Sequence, residues 1–287
     1  MGRLIVNADD FGLTAGVNRA VAELHAAGVL PSTTLMAHEQ ATDDAIAIAL
    51  ATPSLGVGCH VVLIDGSPVL PAKEVPSLVE GKTGRFPQSL GKFLPRLFSG
   101  RMRAEEIEAE AAAQIAQLKS RGLRLTHFDT HKHTHMFPAV LRPVLRAARA
   151  AGIRAVRNPF EPVWAMRATP RALLVRRGEE TVLRCLEPTL RRIIASEGFA
   201  TTDGTIAVVG TGSLDTLMLR SLLAKVPAGT WELVTHPGYC DADLRKIPTR
   251  LQASREVEMQ ALRAIPEFPA VELISFAALA APPLSRT

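Results

Sequence analysis

Apolar runs of strand length and apolar residues at helical spacing alternate along most of the chain. The first run, Leu4-Ile5-Val6, continues into Asn7-Ala8-Asp9-Asp10-Phe11-Gly12 and ends abruptly in two neighbouring carboxylates. A run of this kind bounded by turn chemistry predicts a strand buried on both faces of a parallel sheet. Thr14 is placed to cap a helix through Val17, Ala20, Val21, Leu24 and Ala27, which Gly28 closes. A second strand is expected over 32–36, a helix over 42–51 and a third strand over 55–63.

The rhythm stops at 64–88, where Pro68, Pro71, Pro76 and Pro87 fall in a connection too long to be ordinary and therefore expected to be functional or mobile. It resumes with a helix over 104–118, whose acid-rich first turn suits a positive helix N-terminus and whose Ile107, Ala111, Ile115 and Leu118 share a face. Strands over 123–130, 155–157, 206–209, 231–235 and 271–276 alternate with helices over 138–151, 214–226 and 254–265. Residues 160–198 differ in character, with seven arginines and no lysine among apolar residues, and read as an inserted helical subregion. Solvated helix faces account for that composition; contact with a membrane surface or a partner is the alternative it signals weakly. Strands alternating with helices imply a parallel sheet with helices outside, and the number of units favours a closed barrel. Chemistry in such folds sits at the C-terminal ends of the strands.

Polar residues at those ends are therefore informative. Asp9 and Asp10 follow the first strand, His60 lies in the third, Arg157 follows a later one, and His236-Pro237-Gly238 closes another. Two adjacent carboxylates repel unless a cation offsets them. Taken alone the pair reads equally well as turn residues and helix caps. The segment Thr126-His127-Phe128-Asp129-Thr130-His131-Lys132-His133-Thr134-His135 decides for chemistry: in an extended chain His127, Asp129 and His131 share a face. Histidine is the commonest metal-binding side chain, and a catalytic site takes about three protein ligands, so metal binding is expected of the cluster. Individually, His127, His133 and His135 read better as supporting or surface groups than as ligands. Cys59 faces away from His60 on a strand and reads as a buried structural cysteine. His236, held before a rigid turn, suits a proton donor.

With 287 residues and 47% hydrophobic content, 1–287 is read as one barrel-sized domain. The net charge of +5 permits an anionic partner, but Lys and Arg are scattered and no nucleic-acid motif accompanies them, so no nucleic-acid partner is expected. Cys59, Cys185 and Cys240 stand far apart in an odd count that suits a reducing compartment, and the expected location is cytoplasmic. No basic-then-apolar leader and no run of 18 apolar residues is seen, so neither a secreted precursor nor a membrane span is expected. A homodimer is compatible with all of this.

Four stretches in this order, Ile5 through Gly12, Leu55-Gly56-Val57-Gly58-Cys59-His60, His127 through Pro138, and His236-Pro237-Gly238-Tyr239, resemble the YdjC-like carbohydrate deacetylases. That family includes chitooligosaccharide deacetylases and a branch associated with hopanoid biosynthesis. The resemblance implies an α/β fold, a distorted (β/α) barrel, that removes the acetyl group of N-acetylated sugars, either chitooligosaccharide-like or N-acetylglucosaminyl glycolipids. It implies one divalent metal ion, Mg or Zn, on Asp10, His60 and His131, with Asp9 as the base. Analogy with other polysaccharide deacetylases adds His236 as general acid and Arg157 as the group positioning Asp9. Thr130 stands where the family often has Ser, and the insertion at 160–198 is longer than in compact members, which bears on the substrate. Two other readings stay open: a non-haem iron oxygenase, suggested by two histidines with a carboxylate and the local spacing His127-x-Asp129, and a non-catalytic metal- or sugar-binding protein on the same scaffold.

Overall fold

The computed structural model describes residues 2–169, 174–265 and 271–280. In chain order its first half contains β1 (Gly2–Phe11), α1 (Ala15–Ala26), β2 (Ser32–Leu35), α2 (Thr42–Ala51), β3 (Gly56–Val61), α3 (Leu90–Phe98), α4 (Ala104–Ser120) and β4 (Phe128–Thr130). The second half contains α5 (Pro138–Ala150), α6 (Val163–Ala168), α7 (Leu174–Leu183), α8 (Glu187–Ser196), β5 (Gly204–Ile206), α9 (Thr216–Leu223), β6 (Gly229–Thr235), α10 (Ala253–Arg263), β7 (Val271–Leu273) and α11 (Phe276–Ala280).

Alternation along β1 sorts its side chains between two environments. Leu4, Val6 and Ala8 join the large apolar cluster that also takes Val21 and Leu24 of α1. Ile5, one residue out of phase, joins Ala155 and Phe276 in a small separate cluster inside the curl of the sheet. Asn7 and Asp9 continue Ile5's side toward the strand end, and both are buried. The sheet is parallel in the order β4-β3-β2-β1-β6-β5, with β7 on the N-terminal half of β1. Register along β1 and β6 is unbroken from Gly2 opposite Gly229 to Ala8 opposite Thr235. Single parallel bridges, Phe128 to Val156 and Ala155 to Ala200, carry the curl beyond β4. The result is an α/β fold on a curled parallel half-barrel, distorted where bridges replace strands.

Several expected elements are shorter than the apolar pattern suggests. Residues 123–127 approach β3 through Thr126 N–H to the Val57 carbonyl and Cys59 N–H to the His127 carbonyl, and regular β4 begins only at Phe128. The expected strand over 155–157 is reduced to those bridges, and the one over 206–209 lies instead at Gly204–Ile206. After β7 the chain turns at Ser275, so that α11 enters the curl rather than extending the strand. Helix α3 has no clear signature in the sequence, because Gly91 and Pro95 obscure its periodicity; it buries Phe93 and Leu97, while Arg96 donates to the Ser77 and Val79 carbonyls.

The long connection 64–88 is held by the polar edge of α4. Glu106 accepts from Ser77 N–H, Glu110 from Val69 and Leu70 N–H, and Gln114 bonds both backbone groups of Val62. These residues recur every four positions and so lie on one face, where they satisfy loop backbone that burial would otherwise leave unpaired. The insertion 160–198 is helical as expected, in α6, α7 and α8, with Arg171 outside the described residues. Leu190, Ile193 and Ile194 bury the inner face of α8.

Candidate metal and acid–base site

The C-terminal end of β1 sends its two carboxylates to different partners. Asp10 adopts φ +64°, a left-handed conformation uncommon for a residue with a side chain and concentrated at functional sites, and Gly12 follows at +96°. The turn separates Asp9, on the inner face with Asn7, from Asp10. Both are buried.

Asp10 Oδ1, His60 Nε2 and His131 Nδ1 converge. The separations are 3.5 Å from His60 to Asp10, 3.4 Å from His131 to Asp10 and 3.2 Å between the two histidines. Ligands bonded at about 2.0–2.2 Å around a tetrahedral ion stand about 3.3–3.6 Å apart, so the triangle fits one divalent ion. Asp10 Oδ1 is buried and has no hydrogen-bond partner among the described residues, an unmet need that a cation would meet. His60 is oriented from behind: its Nδ1 lies 2.7 Å from Asp129 Oδ1, which leaves Nε2 facing the triangle. Burial disfavours protonated His60, but Asp129, then Asp9 and Asp10, outweigh it and raise its pKa to about 9. In Asp10, burial is outweighed by Arg255 and His131, which hold the carboxyl well below the usual carboxylate range. His131 reaches the triangle from the first residue of a short 3-10 turn, His131–Met136, in which Lys132 and His133 are both left-handed.

A second set, Asp9, His60 and Asp129, also lies close enough for an ion. Those carboxylates already share a fixed cation. Arg157, fully buried, donates through Nη1 and Nη2 to Asp9 at 2.8 and 2.6 Å, pairs with Asp129, and donates through Nε to Glu232 at 2.8 Å. Against burial, the Arg157 charge and hydrogen bonds hold Asp9 below its ordinary range. Glu232 is instead pushed up to about 7, because burial prevails over its share of Arg157. In the first set Arg255 takes only Asp10 Oδ2 and leaves Oδ1 open toward the two histidines, so this set is the better metal site.

His236 Nε2 stands 3.9 Å from Asp9 Oδ2. Thus Asp9, Asp10, His60, His131, Arg157 and His236 all meet at one end of the sheet, as their positions at strand ends predicted. His127 is on the same inner face but deeper. Its ring stacks on Phe276 at 3.8 Å, a Cβ on Gly58 would press against it, and burial lowers its pKa to about 3. The His127-x-Asp129 spacing therefore does not assemble a ligand pair: Asp129 serves His60 and Arg157. His135 braces the backbone, with Nδ1 2.8 Å from the Thr130 hydroxyl and Nε2 3.1 Å from the Arg157 carbonyl. Cys59 is buried in the main core, as expected, and burial with nearby Asp129 raises its thiol pKa.

Five contributing residues escape the sequence reading. Asn7 and Thr34 both bond Asp9 Oδ1, at 3.0 and 3.3 Å, and Asn7 was detectable from its place two residues before Asp9. Glu232 is the lone charge in the apolar run Trp231-Glu232-Leu233-Val234, a signal that was present. Arg255, which donates to Asp10 Oδ2 at 2.5 Å, and Glu258, which accepts from the His236 N–H at 2.7 Å, belong to a helix whose charges look like an ordinary solvated face.

The profile of the family described as "YdjC-like protein" matches residues 3–269. The chain belongs to the YdjC-like family. A carbohydrate deacetylase of Thermoanaerobacter pseudethanolicus is 30% identical over 91% of this chain and 91% of its own length. A chitooligosaccharide deacetylase of an Enterobacter species is 32% identical over 85% of this chain and 84% of its own. A carbohydrate deacetylase of Brevibacillus brevis reaches 44% identity over a stretch that spans 51% of this chain and 55% of that relative. Among solved structures, a candidate cellobiose-phosphate cleavage protein of Enterococcus faecalis superposes with TM-score 0.75 and 26% identity over 98% of this chain and 99% of that one. The YdjC-like scaffold extends in fold alone to a lactam utilization protein of Thermus thermophilus, at TM-score 0.50 and 15% identity over 95% of this chain and 99% of that one.

Proposed function

We propose that this YdjC-like protein is a metal-dependent hydrolase that removes the acetyl group from an N-acetylated sugar. The observation that carries the reading is the convergence of Asp10 Oδ1, His60 Nε2 and His131 Nδ1 beside a separate carboxylate, Asp9, and a histidine, His236. Relatives named carbohydrate and chitooligosaccharide deacetylase support the substrate class.

Asp10, His60 and His131 would hold a divalent ion, Zn or Mg, which would supply Lewis acidity to polarise the acetamide carbonyl and lower the pKa of water, to about 7 in the case of zinc. Asp9 takes the proton of the attacking water. Its Oδ2 is the less crowded oxygen, since Oδ1 already accepts from Asn7, Thr34 and Arg157. Arg157 keeps Asp9 ionised and fixes both oxygens, trading basicity for position. Water adds to the carbonyl carbon, the C–N bond breaks, and His236 delivers a proton to the departing nitrogen, which leaves acetate and a free amino sugar.

The insertion bears on what carries the sugar. Val163, Met166, Arg167, Arg177, Thr181 and Arg184 line a surface cavity of about 380 Å³, and Arg184, which pairs with Glu187 through Nη2, has a buried Nη1 without a partner among the described residues. This composition supports contact with an anionic bilayer surface and a glycolipid substrate.

Metal-replete protein incubated with N-acetylglucosamine oligomers, and separately with N-acetylglucosaminyl lipids, should release acetate in at least one arm without oxygen or a 2-oxo acid. Chelation should abolish release and added metal restore it. Metal-loaded protein that frees no acetate from either arm would return the chain to the non-catalytic binding reading. Turnover that requires oxygen would favour the iron oxygenase.

A further inference from the structure

Helix α10 reaches the site from outside the sheet through one buried face. Arg255 donates to Asp10 Oδ2, and one turn later Glu258 addresses His236. Glu258 is only 1% exposed. Its Oε2 accepts the His236 backbone N–H at 2.7 Å and lies 3.9 Å from His236 Nδ1, while Oε1 accepts from Gly212 N–H at 3.2 Å. A buried carboxylate is costly unless a cation or several donors satisfy it. Among the described residues its partners are two backbone donors and the His236 ring, and Arg255, the neighbouring cation on the same helix face, is committed to Asp10.

The placement is built around the turn. Gly238 leaves room for the Arg255 stem: a Cβ there would stand 3.0 Å from Val17 and 3.2 Å from Arg255 Cδ. Glu256 accepts from Cys240 N–H at 2.9 Å, so α10 fastens both ends of the segment 236–240. The His236 ring lies between two acids, Glu258 on the Nδ1 side and Asp9 on the Nε2 side. Which nitrogen faces the reaction is thereby decided.

We infer that Glu258 is the positioning residue of the proton donor, holding the His236 ring through its backbone and its Nδ1 edge so that Nε2 delivers the proton to the departing nitrogen. The inference rests on the deacetylase reading above. A structural brace and a donor-positioning group differ in one respect: positioning matters only when the leaving group needs a proton. The departing nitrogen of an N-acetyl sugar needs one; p-nitrophenolate, released from p-nitrophenyl acetate, does not.

The test compares Glu258→Gln with wild type on both substrates, after thermal melting and metal analysis of each protein. Glu258→Gln should lose on the order of 10- to 100-fold in kcat for the N-acetyl sugar with KM within about twofold. Its loss on p-nitrophenyl acetate should be at least about tenfold smaller. Adding Glu258→Gln to His236→Ala should cost little more, because the two act as one unit. Equal losses on both substrates, or full additivity with His236→Ala, would overturn the inference and leave Glu258 a brace. If Glu258→Gln does not fold, Glu258→Asp is used in the same comparison: it keeps the charge but withdraws it by one methylene, and the same substrate contrast is required of it. Wild type inactive on the N-acetyl sugar would instead defeat the deacetylase reading, which distinguishes the two failures.

Discussion

Asp9 and Asp10 show how one dihedral angle divides two chemically identical side chains. Because Asp10 takes φ +64°, it leaves the inner face and meets His60, His131 and Arg255, while Asp9 remains with Asn7 and Arg157. Each carboxylate then has its own arginine, and the repulsion that adjacency creates is offset separately. The roles separate likewise. Asp9→Asn preserves shape and removes the base, so acetate release should fall about 10²- to 10⁴-fold while metal content stays that of wild type. Asp10→Ala removes one corner of the triangle, and metal measured by elemental analysis after desalting should be lost with the activity. Full metal retention in Asp10→Ala would refute the ligand assignment.

Between elements, the carboxylate of Glu161 ties the insertion to the segment after β5. It accepts from Ala207 N–H at 2.9 Å and Val209 N–H at 2.7 Å, and its own N–H donates to Glu180 of α7. Burial raises its pKa from the ordinary 4.5 to about 7; the backbone donors oppose the rise and Glu180 adds to it. The folded chain therefore holds this proton where the unfolded chain has released it. Between about pH 4.5 and about 7 the Glu161 contribution to stability falls as pH rises, and outside that window it is flat. Glu161→Gln cannot titrate, so the stability difference between wild type and this variant should move against wild type across the window in urea unfolding at each pH. A difference constant from pH 4.5 to 7 would contradict the assignment. The same segment shows what local pattern can and cannot reveal. Asp9, Asp10 and His236 were legible because a carboxylate or histidine closing an apolar run is conspicuous, whereas His60 stands inside its strand and His131 in a cluster of histidines, and the family resemblance was needed to single them out. Elements without a local pattern were not. The segment at 155–157 pairs by bridges rather than a ladder, α3 hides its period behind Gly91 and Pro95, and Arg255 and Glu258 acquire meaning only when α10 folds back over β1 and the His236 turn.

At the scale of the whole molecule, the site draws on both ends of the chain, whereas the arginine-lined cavity belongs to one inserted segment that begins just beyond Arg157. Arg167 and Arg177 have no carboxylate partner among the described residues, and Val163 and Val182 are exposed beside them. Guanidinium groups flanking exposed apolar side chains match the two attractions of an anionic membrane interface, with about 1 kcal/mol for each basic residue near the surface. No described helix is long and apolar enough to cross a membrane. The protein should therefore co-sediment with phosphatidylglycerol-containing vesicles at low salt and much less with phosphatidylcholine vesicles, and the phosphatidylglycerol binding should fall as salt screens the charges. Arg177→Glu with Arg184→Glu reverses two charges at the cavity and should weaken vesicle binding at least about tenfold, given those per-residue energies. Acetate release from a soluble N-acetylglucosamine oligomer tests whether the double variant remains folded and competent. Vesicle binding that is unaffected by charge reversal, or absent at low salt, would leave these helices as solvated faces and remove the support for a lipid-borne substrate.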